Sequence, residues 1–386
     1  MTSTRYLIVG GGMTAAGAVQ GIRDHDADGS IAVVTEEAHA PYKRPPLSKK
    51  LWSGGDEQKL WFDSDLGGAR VVTERRIVSL DLDAHQATDD QGETYGYEKI
   101  LLATGGSPRR LGGGDDAVVY FRTLDDYRRL RELAGENAHV VVIGGGFIGT
   151  ELAAALTGVG ATVTMLFPEP TLVFRVLKPG LGEFVTDYYR GKGVEVLPGE
   201  TVSSVDGTTV TLGSGRVLEA DAIVAGLGIV PNVELAEAAG LPVDNGIVVD
   251  ELGRVGGRDD VFAAGDVASY PSPTLGKRFR VEHEDHANTH GRTVGANMAG
   301  AGERYEHLPF FYSDMFDLGY EAVGEVDSRL DTVESWEEPN RKGVIAYVDD
   351  EGRPRGYLLW DTWGKVDEAR ERIRAGEPVK EEAVLA

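Results

Sequence analysis

The sequence predicts an α/β chain in which one strand, glycine-turn and helix series occurs twice, followed by a small α+β segment. Three observations lead there: short β-branched runs that end in glycine triplets, the recurrence of that arrangement at Gly10–Gly12 and Gly144–Gly146, and a change to aromatic-bearing strands after Pro309.

In the first series Tyr6–Val9 reads as a strand, Gly10-Gly11-Gly12 as the turn, Thr14–Asp24 as a helix and Ile31–Thr35 as a second strand. A hairpin-like region from Ile77 to Tyr97 turns at Asp89-Asp90-Gln91-Gly92 and leads to a strand over Ile100–Ala103, then Thr104-Gly105. In the second series Val140–Ile143 is the strand, Gly149–Thr157 the helix and Thr162–Phe167 the next strand. Short strands follow at Val202–Val205, Thr208–Leu212, Val217–Ala220 and Ala222–Gly228. Asp260–Asp266 reads as a further strand ending in Gly-Asp, before a polar helix over Glu284–Met298. Strands at Gly343–Val348 and Tyr357–Trp360 and a helix over Lys365–Ala375 complete the pattern.

Composition narrows the chemistry. A formal charge of −24 argues against a protein that tracks nucleic-acid phosphates, and it disfavours anionic membranes and acidic partners. The chain holds 0 cysteines, so a disulfide relay, a thiolate metal site and a Cys nucleophile are all excluded. Redox chemistry here has to come from a cofactor. The first strand begins almost at once, which leaves no room for a cleaved signal and makes a cytoplasmic location the expectation. The apolar stretch Ala138–Leu166 contains Glu151 and several glycines, so strand, turn and helix are expected there rather than a membrane span.

The first glycine fingerprint is Gly10-x-Gly12-x-x-Ala15. Gly10 permits a tight turn, Gly12 allows close backbone approach to a pyrophosphate, and Ala15 lets the helix pack closely, with the helix N-terminus offering N–H groups to phosphate. Glu36, just past the next strand, is placed to accept both ribose hydroxyls of an adenosine. The second fingerprint, Gly144-x-Gly146-x-x-Gly149 with Glu169 after Phe167, repeats each part. Two dinucleotides are therefore expected, in two Rossmann-like domains. A carboxylate at Glu169 accepts a free 2′-hydroxyl and repels a 2′-phosphate, which favours NADH; Arg175 is the nearest following cation and reads as a solvated surface charge. Gly265-Asp266 has two readings, an ordinary turn or a carboxylate aimed at a ribityl chain such as that of FAD.

These residues together resemble the two-dinucleotide FAD reductases, and most closely the apoptosis-inducing factor type of NADH-dependent flavoprotein. The resemblance rests on the segments 41–49 (Pro-Tyr-Lys-Arg-Pro-Pro-Leu-Ser-Lys), 103–109 (Ala-Thr-Gly-Gly-Ser-Pro-Arg), 144–153 and 281–287 (Val-Glu-His-Glu-Asp-His-Ala). It implies an FAD domain over 1–112 and 230–308, an NAD domain over 113–229 and a C-terminal α+β interface domain over 309–386.

For FAD the resemblance implies Gly10, Gly11, Gly12, Met13 and Thr14 of the fingerprint, with Glu36, Glu37, Arg44, Lys49 and Ile77. It adds Ala103, Thr104, Gly105 and Arg122, then Gly265, Asp266, His283, Glu284 and Tyr312, the last where the family usually has Trp. For NADH it implies Gly145, Gly146, Phe147, Ile148, Glu169, Arg175, Gly228, Glu282 and Glu321. Lys49 and Glu151 resemble the family pair beside flavin N5, with His283 against the flavin as a third catalytic candidate. Read without the family, Glu151 is a first-turn helix acid and Lys49 a solvent lysine beside Lys50. His283, His286 and His290 share a helix face, but without a His-Glu-x-x-His pattern no metal is expected.

The implied activity is hydride transfer from NADH to flavin, with electrons passing to an unidentified acceptor. Two alternatives accompany it. In one, an NADH-reduced charge-transfer complex drives homodimerisation; in the other, the chain is the ferredoxin or rubredoxin reductase of an oxygenase system. The overall acidity opposes docking of an acidic ferredoxin, although Arg128, Arg129 and Arg131 form a local basic run. The segment Glu337-Glu338-Pro339-Asn340 stands where animal members carry a long insertion, so nuclear, DNA-binding and cell-death roles are not implied.

Overall fold

The computed structural model describes residues 2–62, 65–112, 116–380 and 384–385. The expected domain boundary at residue 113 lies outside the described residues. Seven helices are used below: α1 (Met13–His25), α2 (Leu124–Leu133), α3 (Phe147–Gly158), α4 (Pro179–Gly191), α5 (Glu234–Ala238), α6 (Glu284–Met298) and α7 (Val366–Ala375). The chain forms two compact units.

The first unit comprises Met1–Arg44, Gln58–Ser107 and Val230–Pro309. Its parallel sheet runs Arg70–Val72, Ile31–Val34, Thr2–Val9 and Thr94–Leu102. Leu7, Val9, Ala32, Val34, Ile100 and Leu102 enter one apolar cluster while Tyr6, Ile8, Ile31, Val33 and Leu101 enter another. Both faces are therefore covered, as a parallel sheet requires. The sequence divides Thr94–Leu102 into a hairpin arm and a separate strand, but it is one continuous strand. Its first half pairs antiparallel with Gln86–Asp89 and its second half parallel with Val261–Ala263, so one strand takes two different neighbours along the same edge.

Helices α1 and α6 pack together through glycine. A Cβ on Gly21 would fall 1.9 Å from the Arg292 carbonyl oxygen, and one on Gly295 would fall 2.1 Å from that of Ala18. This backbone-to-backbone approach draws α6, and His283 at its start, against the first fingerprint helix.

The second unit comprises Pro45–Glu57, Pro108–Ile229 and Phe310–Ala386. Its parallel sheet runs Glu195–Pro198, Thr162–Phe167, His139–Ile143, Ala222–Ala225 and Val118–Tyr120. The three short strands after residue 200 form an antiparallel sheet, Val202–Asp206, Thr209–Leu212 and Val217–Glu219. The C-terminal part is a five-stranded antiparallel sheet with α7 against it, in the order Phe310–Met315, Leu318–Gly324, Pro354–Trp360, Lys342–Val348 and Asp331–Glu338. The apolar stretch 138–166 resolves into strand, glycine turn, helix and strand; among the described residues no helix is long and apolar enough to cross a membrane.

Three helices were not anticipated: α2, α4 and the short α5. Thr123 caps α2 in a reciprocal capping box with Asp126, and α2 buries only Leu124, Tyr127 and Leu130, a stripe obscured by its many charges. Pro179 opens α4 at its first turn, and Leu181, Val185 and Tyr189 repeat at four-residue spacing on its buried side.

Candidate active site

Each glycine fingerprint stands where a strand ends and a helix begins. Gly10 has φ +111° and a Cβ there would lie 2.2 Å from the Ala103 carbonyl oxygen; Gly144 has φ +119° and its Cβ would lie 2.4 Å from that of Gly226. Both positions demand glycine twice over, by conformation and by the neighbouring strand. Gly12 and Gly146 are the N-cap residues of α1 and α3 and supply no side-chain cap. A Cβ on either would meet nothing within 4 Å. Neither helix has an acid in its first turn, so the leading N–H groups and the positive helix end are left to an anionic ligand. These two cradles fit the pyrophosphates of two dinucleotides.

In the first unit Glu36 lies exposed just beyond the strand Ile31–Val34. Its neighbour Glu37 is committed to protein: Tyr42 Oη donates to Glu37 Oε2 at 2.6 Å and Arg44 pairs with Oε1. Arg44 also lies over the Tyr42 ring, 5.1 Å from its centroid. Ile77 is buried, while Thr104 and Asn232 exchange hydrogen bonds of 2.7 and 2.9 Å that hold the Ala103-Thr104-Gly105 turn.

Asp266 sits in the 3-10 turn Gly265–Val267 after the strand Val261–Ala263. Gly265, φ +74°, leaves no space for a Cβ, which would lie 2.1 Å from Thr14 Oγ1, and its N–H donates to His290 Nδ1 at 3.3 Å. The turn is thus wedged between α1 and α6. His283 caps the start of α6 without a side-chain bond to it, beside Glu284 in the first turn. Burial pushes the His283 imidazole down to about 4, against the opposing pull of Asp266 and Asp285. Glu282 pairs with Arg280 at 2.6 Å.

His286 and His290 have their rings 4.8 Å apart in a buried aromatic group with Tyr270 and Tyr305. Burial pushes His286 down to about 3 and His290 well below the usual range. Among the described residues no group of three or more His, Asp or Glu side chains is arranged to hold a metal ion.

In the second unit Lys49 Nζ lies 2.6 Å from Glu151 Oε2, with side chains 12% and 4% exposed. Glu151 is the fifth residue of α3 and so lies beyond its first turn. The solvent-lysine and first-turn-acid alternatives are therefore both corrected: the two side chains are buried against each other. Tyr312 lies under the ammonium, 5.1 Å from Lys49 Nζ to ring centroid. Arg122 precedes α2, its backbone N–H bonded to Asp126.

The second fingerprint is flanked by Phe147, whose ring stands 5.0 Å from that of Phe311, and by Ile148, which is exposed. Glu169 is half-buried after the strand Thr162–Phe167, and Arg175 is exposed on the loop beyond it. Val173 in that loop has φ +51°, a costly conformation for a β-branched residue, and its N–H donates to the Gly145 carbonyl at 2.8 Å. Gly228 has φ +78° after the last parallel strand, and Glu321 Oε2 accepts from the Gly364 N–H at 3.1 Å.

Sequence reasoning missed Ser48, Ser313 and Val173. Ser48 stands within the segment 41–49 and was legible; nothing in the local pattern marks Ser313, whose partner is 162 positions away.

The chain matches the pyridine nucleotide-disulphide oxidoreductase family over residues 4–291, and the C-terminal region of apoptosis-inducing factor (mitochondrion-associated) over 294–341. It is 32% identical to apoptosis-inducing factor 1, mitochondrial, of Dictyostelium discoideum, over 96% of this chain and 78% of that one. It is 33% identical to the ferredoxin–NAD(+) reductase component of the anthranilate 1,2-dioxygenase system of Burkholderia cepacia, over 97% of this chain and 95% of that one. The reductase chain of the covalent putidaredoxin reductase–putidaredoxin complex superposes with a TM-score of 0.92 at 28% identity, covering 100% of this chain and 96% of that one. With 0 cysteines, this chain lacks the dithiol for which the family is named. Two dinucleotide cradles, a buried Lys–Glu pair and a match over three quarters of its length place the chain in the pyridine nucleotide-disulphide oxidoreductase family, as an NADH-dependent flavoprotein oxidoreductase.

Proposed function

We propose that this oxidoreductase carries electrons from NADH, through FAD, to a small iron–sulfur protein of the ferredoxin type. One observation favours that acceptor: the chain spans 95% of the Burkholderia ferredoxin reductase, and so shares its nearly complete plan rather than one domain of it. When FAD is bound, its ring supplies the chemistry of taking up a hydride and releasing electrons singly.

The residues of this chain do the rest. The N–H groups at the start of α1 and the turn bearing Asp266 hold FAD, with Glu36 on its ribose; the start of α3 and Glu169 hold NADH. Lys49 sets a positive charge where negative charge gathers on reduction, and Glu151 fixes the lysine and offsets its burial. His283, held neutral by burial, presents an uncharged ring to the flavin. The remaining site assignments and the domain limits at 112, 229 and 308 belong to this same reading.

The net charge of −24 makes docking of an acidic ferredoxin dependent on a local cationic surface and hence on salt. The test is NADH-dependent reduction of a [2Fe–2S] ferredoxin under nitrogen, followed by the bleaching of its visible bands. Turnover well above the rate with dioxygen alone supports the proposal; reduction no faster than the reoxidation of flavin by air removes it.

A further inference from the structure

Glu151 is held at both of its oxygens, and by different parts of the chain. Lys49 Nζ and Ser48 Oγ both lie 2.6 Å from Oε2, and they are neighbours at the end of the 3-10 turn Pro45–Ser48. Ser313 Oγ donates to Oε1 at 2.8 Å from the strand Phe310–Met315. Among the described residues it is the one hydrogen-bond donor to that oxygen. Ser313 is itself 1% exposed, so its hydroxyl has no solvent role.

The terminal torsion of a glutamate is broad, and a carboxylate with one end untethered turns to give a nearby cation both oxygens. The Ser313 bond blocks that rotation. Lys49 then receives one oxygen, shared with Ser48, and keeps part of its charge directed away from Glu151, over the ring of Tyr312, which adjoins Ser313 in the strand. Two phenols packed nearby leave this balance undisturbed: burial, reinforced by the Glu151 charge, holds Tyr189 and Tyr320 neutral.

We propose that Ser313 is a positioning residue for the redox centre, restricting Glu151 to a one-oxygen pair with Lys49 so that the ammonium charge remains available to the reduced flavin. The inference rests on the role given to Lys49 under Proposed function. It assigns to the C-terminal part of the chain a share in tuning the flavin, exerted through Glu151 and Lys49.

The test is the midpoint potential of bound flavin in wild type, Ser313→Ala, Ser313→Thr, Lys49→Met and the Ser313→Ala/Lys49→Met double variant, with the rate of flavin reduction by NADH beside it. Ser313→Ala is expected to make the potential more negative and slow reduction roughly tenfold without changing the Kd for NADH. Ser313→Thr keeps the hydroxyl and restores both. Lys49→Met shifts the potential the same way, and the double variant matches Lys49→Met alone, because Ser313 acts only through the lysine. If Lys49→Met shifts the potential and Ser313→Ala does not, or if the two shifts add in full, the inference fails alone. An unmoved potential in Lys49→Met defeats the reading of Lys49 and this inference with it. Should Ser313→Ala fail to fold, Ser313→Cys, a weaker donor of similar size, is expected to give a smaller shift in the same direction, and no shift overturns the proposal.

Discussion

A Cβ placed on Gly149 would stand 2.0 Å from the carbonyl oxygen of Gly144, whereas one placed on Gly146 would meet nothing within 4 Å. Within one fingerprint, the third glycine serves packing of α3 against the strand end, and the second leaves room beside the helix N-terminus. Gly146→Val is expected to fold, with a stability loss of about 1 kcal/mol from the altered N-cap, and to raise the Kd for NADH more than roughly tenfold. Gly149→Val is expected to lose about 3 kcal/mol or more through overpacking. Thermal melts and NADH titrations of the two variants separate these roles; an unchanged Kd for NADH in Gly146→Val would show that the space there has no binding role.

On the proposed reading, Glu169 sets the choice of nicotinamide. Glu169→Arg replaces a carboxylate that repels a 2′-phosphate with a cation that attracts one, and Arg175 already lies on the same loop. The ratio of kcat/KM for NADH over NADPH is expected to fall roughly a hundredfold, about 2.7 kcal/mol in differential binding. An unchanged ratio would remove Glu169 from the ribose site.

The buried histidines make stability depend on mild acid. His283 is pushed down to about 4 and His286 to about 3, both from 6.5, chiefly by burial. Above pH 6.5 each is neutral whether folded or unfolded and contributes nothing to the pH slope. Below 6.5 the unfolded chain takes up protons that the folded chain refuses, so stability falls with pH down to about 4. By pH 4.5 the loss is about 3 kcal/mol per histidine. Asp317, held down to about 2 by its bonds to Lys192 and Tyr188, loses its contribution only at lower pH, so this window belongs to the histidines. Urea midpoints at pH 7.5, 6 and 4.5 measure the slope, and His286→Asn is expected to flatten it.

Val173 stores strain beside the second fingerprint. Val173→Gly relieves a positive φ that costs about 1–2 kcal/mol in a valine. The offsetting cost is looser bracing of Phe174 and Arg175, so the KM for NADH is expected to rise severalfold while kcat holds. An unchanged KM for NADH in Val173→Gly would show that this bracing has no part in binding.

The sequence was most informative where backbone geometry dictates residue type. Gly10, Gly12, Gly144 and Gly146 announce the two strand-to-helix turns because other residues clash there or fill a binding cradle, and their spacing to Glu36 and Glu169 follows from the unit itself. Helix α2 was hidden by its charges, yet Thr123 and Asp126 spell its capping box. The glycine contact between α1 and α6 was written as Gly17/Gly21 and Gly291/Gly295, but each pair reads alone as helix-weakening until its partner is known. Lys49 and Glu151 became a pair only by resemblance, because 102 positions separate them and local pattern carries no information about such a contact. The same distance problem hid Ser313 completely.

The measurement closest to the central claim is an anaerobic titration of the purified yellow protein with NADH, following the flavin absorbance near its visible maximum. Bleaching complete at one equivalent of NADH per flavin, slowed about a hundredfold in Lys49→Met and many times slower with NADPH, is the expected result. Protein that retains no flavin, or flavin that NADH leaves oxidised, would contradict it.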